Sequence, residues 1–171
     1  AVVRYGPEAI GGVVLVEPPP MRVAGFGGKA VLAGRLNGRR LMGGLRLDLG
    51  LPRQGLSFRV QGNYARGASL QAPDYVLGNT GAEEWNLGGT AAWMSGTTEV
   101  RVGFHHYDLR AGVFYGQSHA TPAEFEQQLE AEIPPGADAW TVDYAIDRPY
   151  QRVTHDMASA HLVHRMPWGR L

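Results

Sequence analysis

The stretch "RLMGGLRLDLGLPRQGLSFRVQGNY", Arg40 to Tyr64, decides the fold. Its first half places Leu41, Leu45, Leu47 and Leu49 on one side and Arg46 and Asp48 on the other. Its second half sets Leu56, Phe58, Val60 and Tyr64 against Ser57, Arg59, Gln61 and Asn63. A period of two is the signature of a strand with one apolar and one polar face. Between the halves, "LPRQG" supplies the Pro and Gly of a tight turn. The stretch reads as two antiparallel strands.

The same period recurs on either side. In "KAVLAGRLNG", Ala30, Leu32, Gly34 and Leu36 oppose Lys29, Val31, Ala33 and Arg35. In "EWNLGGTAAW", Trp85, Leu87, Ala91 and Trp93 oppose Asn86, Gly88, Thr90 and Ala92. In "TEVRVGFHHY", Val100, Val102 and Phe104 oppose Glu99, Arg101 and His105. "RVTHDMASAHLVHRM" has the length of a strand without a clean division of faces. About six strands are expected, and an all-β fold.

Composition narrows the possibilities. The chain has 171 residues, 44% of them apolar, with 16 basic against 16 acidic side chains. That length fits one domain, and the zero net charge gives no electrostatic reason to expect nucleic acid as a partner. Cysteine is absent, which removes disulfides, thiolate metal sites and a cysteine nucleophile together. The 24 glycines recur inside the patterned segments. Curved sheets and barrels use glycine in that way. No apolar run approaches the roughly 18 residues of a membrane helix.

From the second strand onward the connections alternate in length. "LPRQG", "SGTT" and "PWG" are short, whereas "ARGASLQAPDYVLGNTGAE" and the run from Ala111 to about Arg148 are long. Short turns at one end and long loops at the other match a transmembrane barrel. The second loop carries one helix signature near residues 122–131. Thr121 is its N-cap, Pro122 its first residue and Glu124 the capping-box partner, and Pro134-Pro135-Gly136 follows its end. Phe125 and Leu129, four apart, form a small apolar stripe on it.

Alternation is shared by a soluble barrel, with its apolar face inward, and a membrane barrel, with that face toward lipid. The bulky, charged polar face suits a wet interior. Trp85 and Trp93 share a face eight residues apart. On a tilted strand that is about 20 Å along the membrane normal, the separation of two interfacial aromatic girdles. A soluble core could hold two such tryptophans as well.

The opening "YGPEAIGGVVLVEP" is a glycine-rich turn, then the unbroken apolar run Val13 to Val16, and three prolines follow at Pro18 to Pro20. It resembles the closing motif of the plug domain in TonB-dependent outer-membrane receptors. Tyr5-Gly6, Ala9-Ile10, Gly11-Gly12 and Val13-Val14 stand at the matching positions, while Leu15 replaces the usual Asn. "FRVQGNYARG", "HYDLRAGVFYG" and "DRPYQRVTHDMAS" are similar to early barrel segments of ferric-siderophore, ferric-citrate-like receptors. The resemblance implies a fragment with the plug's end at residues 1–20, a hinge at 21–28 and the first part of a transmembrane β-barrel at 29–171. It would be an open, curved sheet of about six strands, preceded by the last plug strand. The resemblance also implies the bacterial outer membrane, uptake of a scarce ligand such as a ferric siderophore, and energy from the TonB–ExbB–ExbD complex. The TonB-contacting segment would lie outside this chain. No cofactor and no catalysis are implied.

Within that frame Asp108, Arg110, Tyr115 and His119 are expected at the ligand-facing loop end, with Asp108 and Arg110 as an ion pair that either braces the loop, the favoured role, or contacts ligand. The six histidines read as wall and loop residues. His105 and His106 face opposite sides, and the other strand histidines stand too far apart to share an ion. "GQSHA" has Ala120 where a nucleophile elbow needs Gly, and "GFGGKA" lacks the spacing of a phosphate loop. Two other classes compete: a soluble β-sandwich or small-barrel binding module, and a small outer-membrane enzyme, the latter without a convincing Ser/His pair.

Overall fold

The computed structural model describes residues 19–117, 121–166 and 169–170. Six long strands dominate: β1 (Gly25–Arg35), β2 (Arg40–Leu51), β3 (Leu56–Gly67), β6 (Ala82–Ser95), β7 (Thr98–Gly112) and β8 (Tyr150–Met166). Two short strands, β4 (Leu70–Gln71) and β5 (Val76–Leu77), form a ribbon of their own, and β9 (Gly169–Arg170) pairs with the end of β8. The main sheet runs β1-β2-β3-β6-β7-β8-β9 and every described pair is antiparallel. Sequence neighbours are therefore sheet neighbours throughout. The sheet is open: β1 pairs with β2 alone, and beyond β7 the described partner of β8 is the two-residue β9.

The register confirms the hairpin reading of Arg40 to Tyr64. Leu47 faces Val60, Leu49 faces Phe58, and Asp48 faces Arg59. Continuing across, Phe58 meets Ala91, Ala91 meets Val102, and Val102 meets Ala160. One face thus carries leucines, valines and aromatics, and the other carries most of the charges. "RVTHDMASAHLVHRM" is one strand after all, and its mixed faces follow the same register. Its Leu162, Ala160 and Ala158 continue the apolar face, while Asp156, Thr154 and Arg152 make that face polar toward the loops.

β1 begins at Gly25, four residues before the expected start of the barrel at residue 29. Gly25 to Gly28 pair with Gly50 to Leu47. In this stretch expected as hinge, Gly27 and Gly28 serve close approach and Gly25 a left-handed φ of 71°. A Cβ on Gly50 would lie 2.3 Å from Ala24 N and 2.5 Å from the Arg22 carbonyl. A Cβ on Gly27 would strike the Arg22 guanidinium at 2.5 Å. The leading segment from Pro19 to Ala24 therefore lies on the polar face, directly over these glycines. The expected last plug strand, with Tyr5, Gly6, Gly11 and Gly12, lies outside the described residues.

The loop helix, α1 (Pro122–Glu130), forms as its signature predicts. The Thr121 hydroxyl accepts from Glu124 N at 3.3 Å, and Pro122 opens the first turn. Gln128 donates to the Gly116 carbonyl, tying α1 to the strand end. Phe125 and Leu129 remain exposed.

Substituting Gly50 tests this packing. Gly50→Val puts methyl groups into backbone, which costs about 1–3 kcal/mol. Gly34→Ala, whose Cβ would meet only the Arg40 carbonyl at 3.7 Å, is expected within about 0.5 kcal/mol of the parent. Denaturant titration of both variants measures the difference.

Candidate functional site

A 44% apolar chain ordinarily hides its large side chains. Here the buried apolar residues among those described are Ala65, Ala68, Ala137 and Val163. Phe26, Leu45, Leu47, Leu49, Phe58, Val60, Leu87, Val102, Phe104 and Leu162 are all exposed on one face. Leu47 is 40% exposed while Asp48 beside it is 5% exposed, as is Arg59. The usual order is inverted: apolar groups are bare and the ion pair is covered.

The covered ion pair organises the polar face. Arg59 Nε donates to Asp48 Oδ1 at 2.6 Å. Its Nη1 donates to the Pro19 carbonyl at 2.7 Å and its Nη2 to the Pro20 carbonyl at 2.9 Å. The Ser57 hydroxyl donates to the Arg22 carbonyl at 2.8 Å. Proline contributes a carbonyl and no N–H, and guanidinium is all donor, so each contact sets a donor on an acceptor. Arg46 approaches the second Asp48 oxygen at 3.0 Å. Its Nε is buried without a hydrogen bond, so the approach is an ion-pair contact off the N–H direction.

Further along the same face, Arg40 reaches across Gly67 to Glu84 at 2.7 Å, and the Tyr107 hydroxyl donates to the same carboxylate at 3.4 Å. Glu99 and Arg101 pair at 2.7 Å. The bulky, charged wall expected from the sequence is thus largely cross-braced.

The apolar face has a defined upper edge. Trp85 and Trp93 both lie on it, each 42% exposed. Trp85 stands opposite Tyr64 and its ring lies 4.5 Å from that of His106. The last apolar residue before the polar collar is Leu41 on β2, Tyr64 on β3, Trp85 on β6, Phe104 on β7 and Ala158 on β8. By register, the edge drops three two-residue rows between β2 and β8. That is roughly 20 Å over the roughly 19 Å width of four strand spacings. The slope is about 45°, the line a flat membrane surface draws across strands tilted by 35–45°.

Asp108 and Arg110 do not pair with each other. Asp108 Oδ2 accepts from Thr154 at 2.8 Å and from Arg152 at 3.1 Å. Arg110 donates to the Ile146 carbonyl at 2.8 Å, and its guanidinium lies 4.4 Å from the Tyr150 ring centroid. Residues two apart on a strand are about 7 Å apart, so directly opposed side chains compete well. Glu99 and Arg101 succeed as such a pair because Val163 and His161 oppose them. Both Asp108 and Arg110 belong to the collar above the apolar edge.

Tyr115 packs against Trp140, with ring centroids 6.1 Å apart, and Phe114 meets the same indole edge-on at 5.4 Å. Burial, then the charges of Asp147 and Asp143, push the Tyr115 phenol above its ordinary pKa. His119 lies outside the described residues. The residue that sequence reading missed is Asn79. Buried and left-handed at φ 61°, it donates to the carbonyls of Val113, Asp147 and Pro149 and accepts from Asp147 N at 2.8 Å. This one side chain knots the two long loops. Asn between Gly78 and Thr80 was a legible turn signal, but its distant partners were not.

Among the described residues no three His, Asp or Glu side chains group to hold a metal ion, and no helix is long and apolar enough to cross a membrane. Comparison with family models, with curated proteins and with solved structures gives no match.

Two substitutions separate the clasp from the loop knot. Arg59→Met leaves the buried Asp48 carboxylate with Arg46 alone and frees the Pro19 and Pro20 carbonyls, at a cost of about 3 kcal/mol. Tryptic cleavage after Arg22 should accelerate with it. Asn79→Ala should raise amide exchange at Asp147 and through the two loops, while β2 and β3 keep their protection.

Proposed function

We propose that this chain belongs to the wall of a TonB-dependent outer-membrane receptor, spanning the exit from the plug and the first strands of the barrel. The observation that carries this reading is the inverted burial: bare leucines and aromatics on one face, a covered ion pair on the other. A single sheet with that distribution needs hydrocarbon, not water, against its apolar side. The diagonal edge below a polar collar supports the same solvent. So does the leading segment, which lies on the polar face, as a chain emerging from inside a barrel would.

In this reading the loops knotted by Asn79, with Tyr115 and α1, form part of the outer vestibule. Asp108 and Arg110 stand on the outer flank of that end and brace it rather than meeting ligand. The cargo is a scarce extracellular chelate of the ferric-siderophore class, and transport uses work delivered through TonB–ExbB–ExbD. The chain performs no covalent chemistry. Its part is to hold the wall, seat the plug's exit and shape the vestibule.

The test places a charge on each face. Leu47→Arg at mid-height of the apolar face should cost about 2–4 kcal/mol of folding free energy in lipid. Gln61→Arg, on the opposite face, should cost less than about 1 kcal/mol. The protein should fold in detergent or lipid and not in plain buffer. A monodisperse, folded monomer in water without detergent overturns the membrane reading in favour of a soluble binding module.

A further inference from the structure

One two-residue row above the Arg59 clasp, the polar face sets two cations side by side. Lys29 and Arg46 are directly opposed across β1 and β2, and like charges opposed in this way destabilise a sheet. Asp48 does not answer both. It is bonded to Arg59 and shares only an ion-pair contact with Arg46. The Arg46 Nε is buried and makes no hydrogen bond among the described residues, and Lys29 has no ion-pair partner among them. Gln61 stands opposite Arg46, and Asn63 opposite Gly44. A Cβ on Gly44 would lie 3.1 Å from Asn63 Oδ1, so the missing side chain lets that amide lean over β2.

These four side chains line one end of a cavity of about 340 Å³, a volume in the ordinary range for a small-molecule site. Beyond them its walls are apolar, with Val31, Met42 and the buried Ala65. Glu84 closes the far end, but Arg40 at 2.7 Å and the Tyr107 hydroxyl at 3.4 Å already hold its two oxygens. By register, the row of Lys29, Arg46 and Gln61 lies four residues from the row of Met42, Ala65 and Glu84. That is roughly 13 Å along a strand. The cavity is thus polarised: free positive charge at one end, an apolar middle, and a satisfied ion pair at the other. A second anionic group in it would meet Glu84, whereas an uncharged occupant would leave the two cations opposed.

We infer that this cavity is a binding site for an organic monocarboxylate with an apolar chain. The carboxylate lies between Lys29 and Arg46, with Gln61 and Asn63 as flanking amide donors, and the chain runs along Val31 and Met42. A carboxylate accepts charge-assisted hydrogen bonds from both cations, which turns their repulsion into a shared bridge. Binding to the folded state alone also stabilises the sheet by mass action. The inference goes beyond the receptor reading. It rests on the polar face and stands whichever solvent covers the other.

The test uses hexanoate as probe, with hexanol as its uncharged counterpart. The full chain, in the medium that keeps its sheet folded, is titrated and followed by NMR at the Arg46 Nε–H and the side-chain amides of Gln61 and Asn63. Hexanoate should shift these signals saturably, and hexanol should leave the Arg46 Nε–H unmoved. Lys29→Gln relieves the opposed charges and should fold, yet bind hexanoate about tenfold more weakly or worse, the loss of one charged donor. Lys29→Arg should retain binding. Hexanol matching hexanoate, an unchanged affinity in Lys29→Gln, or no saturable shift at Arg46 overturns the inference. Shifts confined to Leu47 and Phe58 overturn it too, since they mark partition of the probe onto the apolar face. A sheet that folds in plain water would sink the membrane reading and leave these outcomes as they are, so the two failures are distinct.

Discussion

All three nitrogens of Arg59 are engaged, and the rest of the structure is arranged around them. Nε holds β3 to β2 through Asp48, and the two terminal nitrogens hold the leading segment through the carbonyls of Pro19 and Pro20. A guanidinium this well covered has few alternatives. Leaving any donor unmet in a covered site costs as much as a lost hydrogen bond or more. The pair fixes the register of the hairpin, because a slip of one residue would turn Arg59 and Asp48 to the opposite face. It also fixes which face receives the chain's own upstream segment. Once that face is occupied, the leucine face must find its cover elsewhere.

That requirement explains why an apolar-rich chain shows so small an apolar core. Burial of large side chains normally drives folding at about 25 cal/mol per Å². In this sheet the large side chains on the apolar face stay bare, and the described core consists of three alanines and one valine. Backbone pairing across six long antiparallel strands and cross-strand ion pairs do the internal work. In hydrocarbon such pairing is compulsory, since every backbone group must find a partner within the protein. The outer side of β1, and most of the outer side of β8, present strand edges without a partner among the described residues.

The faces were legible in the sequence because a strand's period is short and local. Leu47, Asp48 and Leu49 announce their sides without reference to anything distant. The start of β1 was not legible: Gly25, Gly27 and Gly28 look like a hinge when read alone. Gly27 and Gly28 depend on Arg22 and on the Arg46 backbone, which only pairing brings near, while Gly25 takes a left-handed φ of 71°. The Asp108–Arg110 pair failed for the same reason, since the opposing Thr154 and Arg152 lie more than forty residues away. Asn79 shows the limit most sharply. A left-handed Asn in a loop is a common local signal, whereas its bonds to Val113, Asp147 and Pro149 require both long loops to be folded together. The helix at Pro122 to Glu130 stands at the other extreme, for its cap, first residue and stop are all adjacent in sequence.

The contrast between the two faces bears on how the upstream segment is held. An apolar strand docked on an apolar wall would be bound by buried area and could leave only by exposing that area to water. The segment from Pro19 to Ala24 is docked instead through carbonyls, on donors that water can also satisfy. Exchange of protein–protein for protein–water hydrogen bonds leaves a net cost of only about 0.5–1.5 kcal/mol per bond, rising to about 3 for charged donors. A segment so held stays in register at rest and releases under modest work. The prolines sharpen this. With no N–H to give, they cannot extend the sheet as an added strand, so the docked segment remains a passenger on the wall.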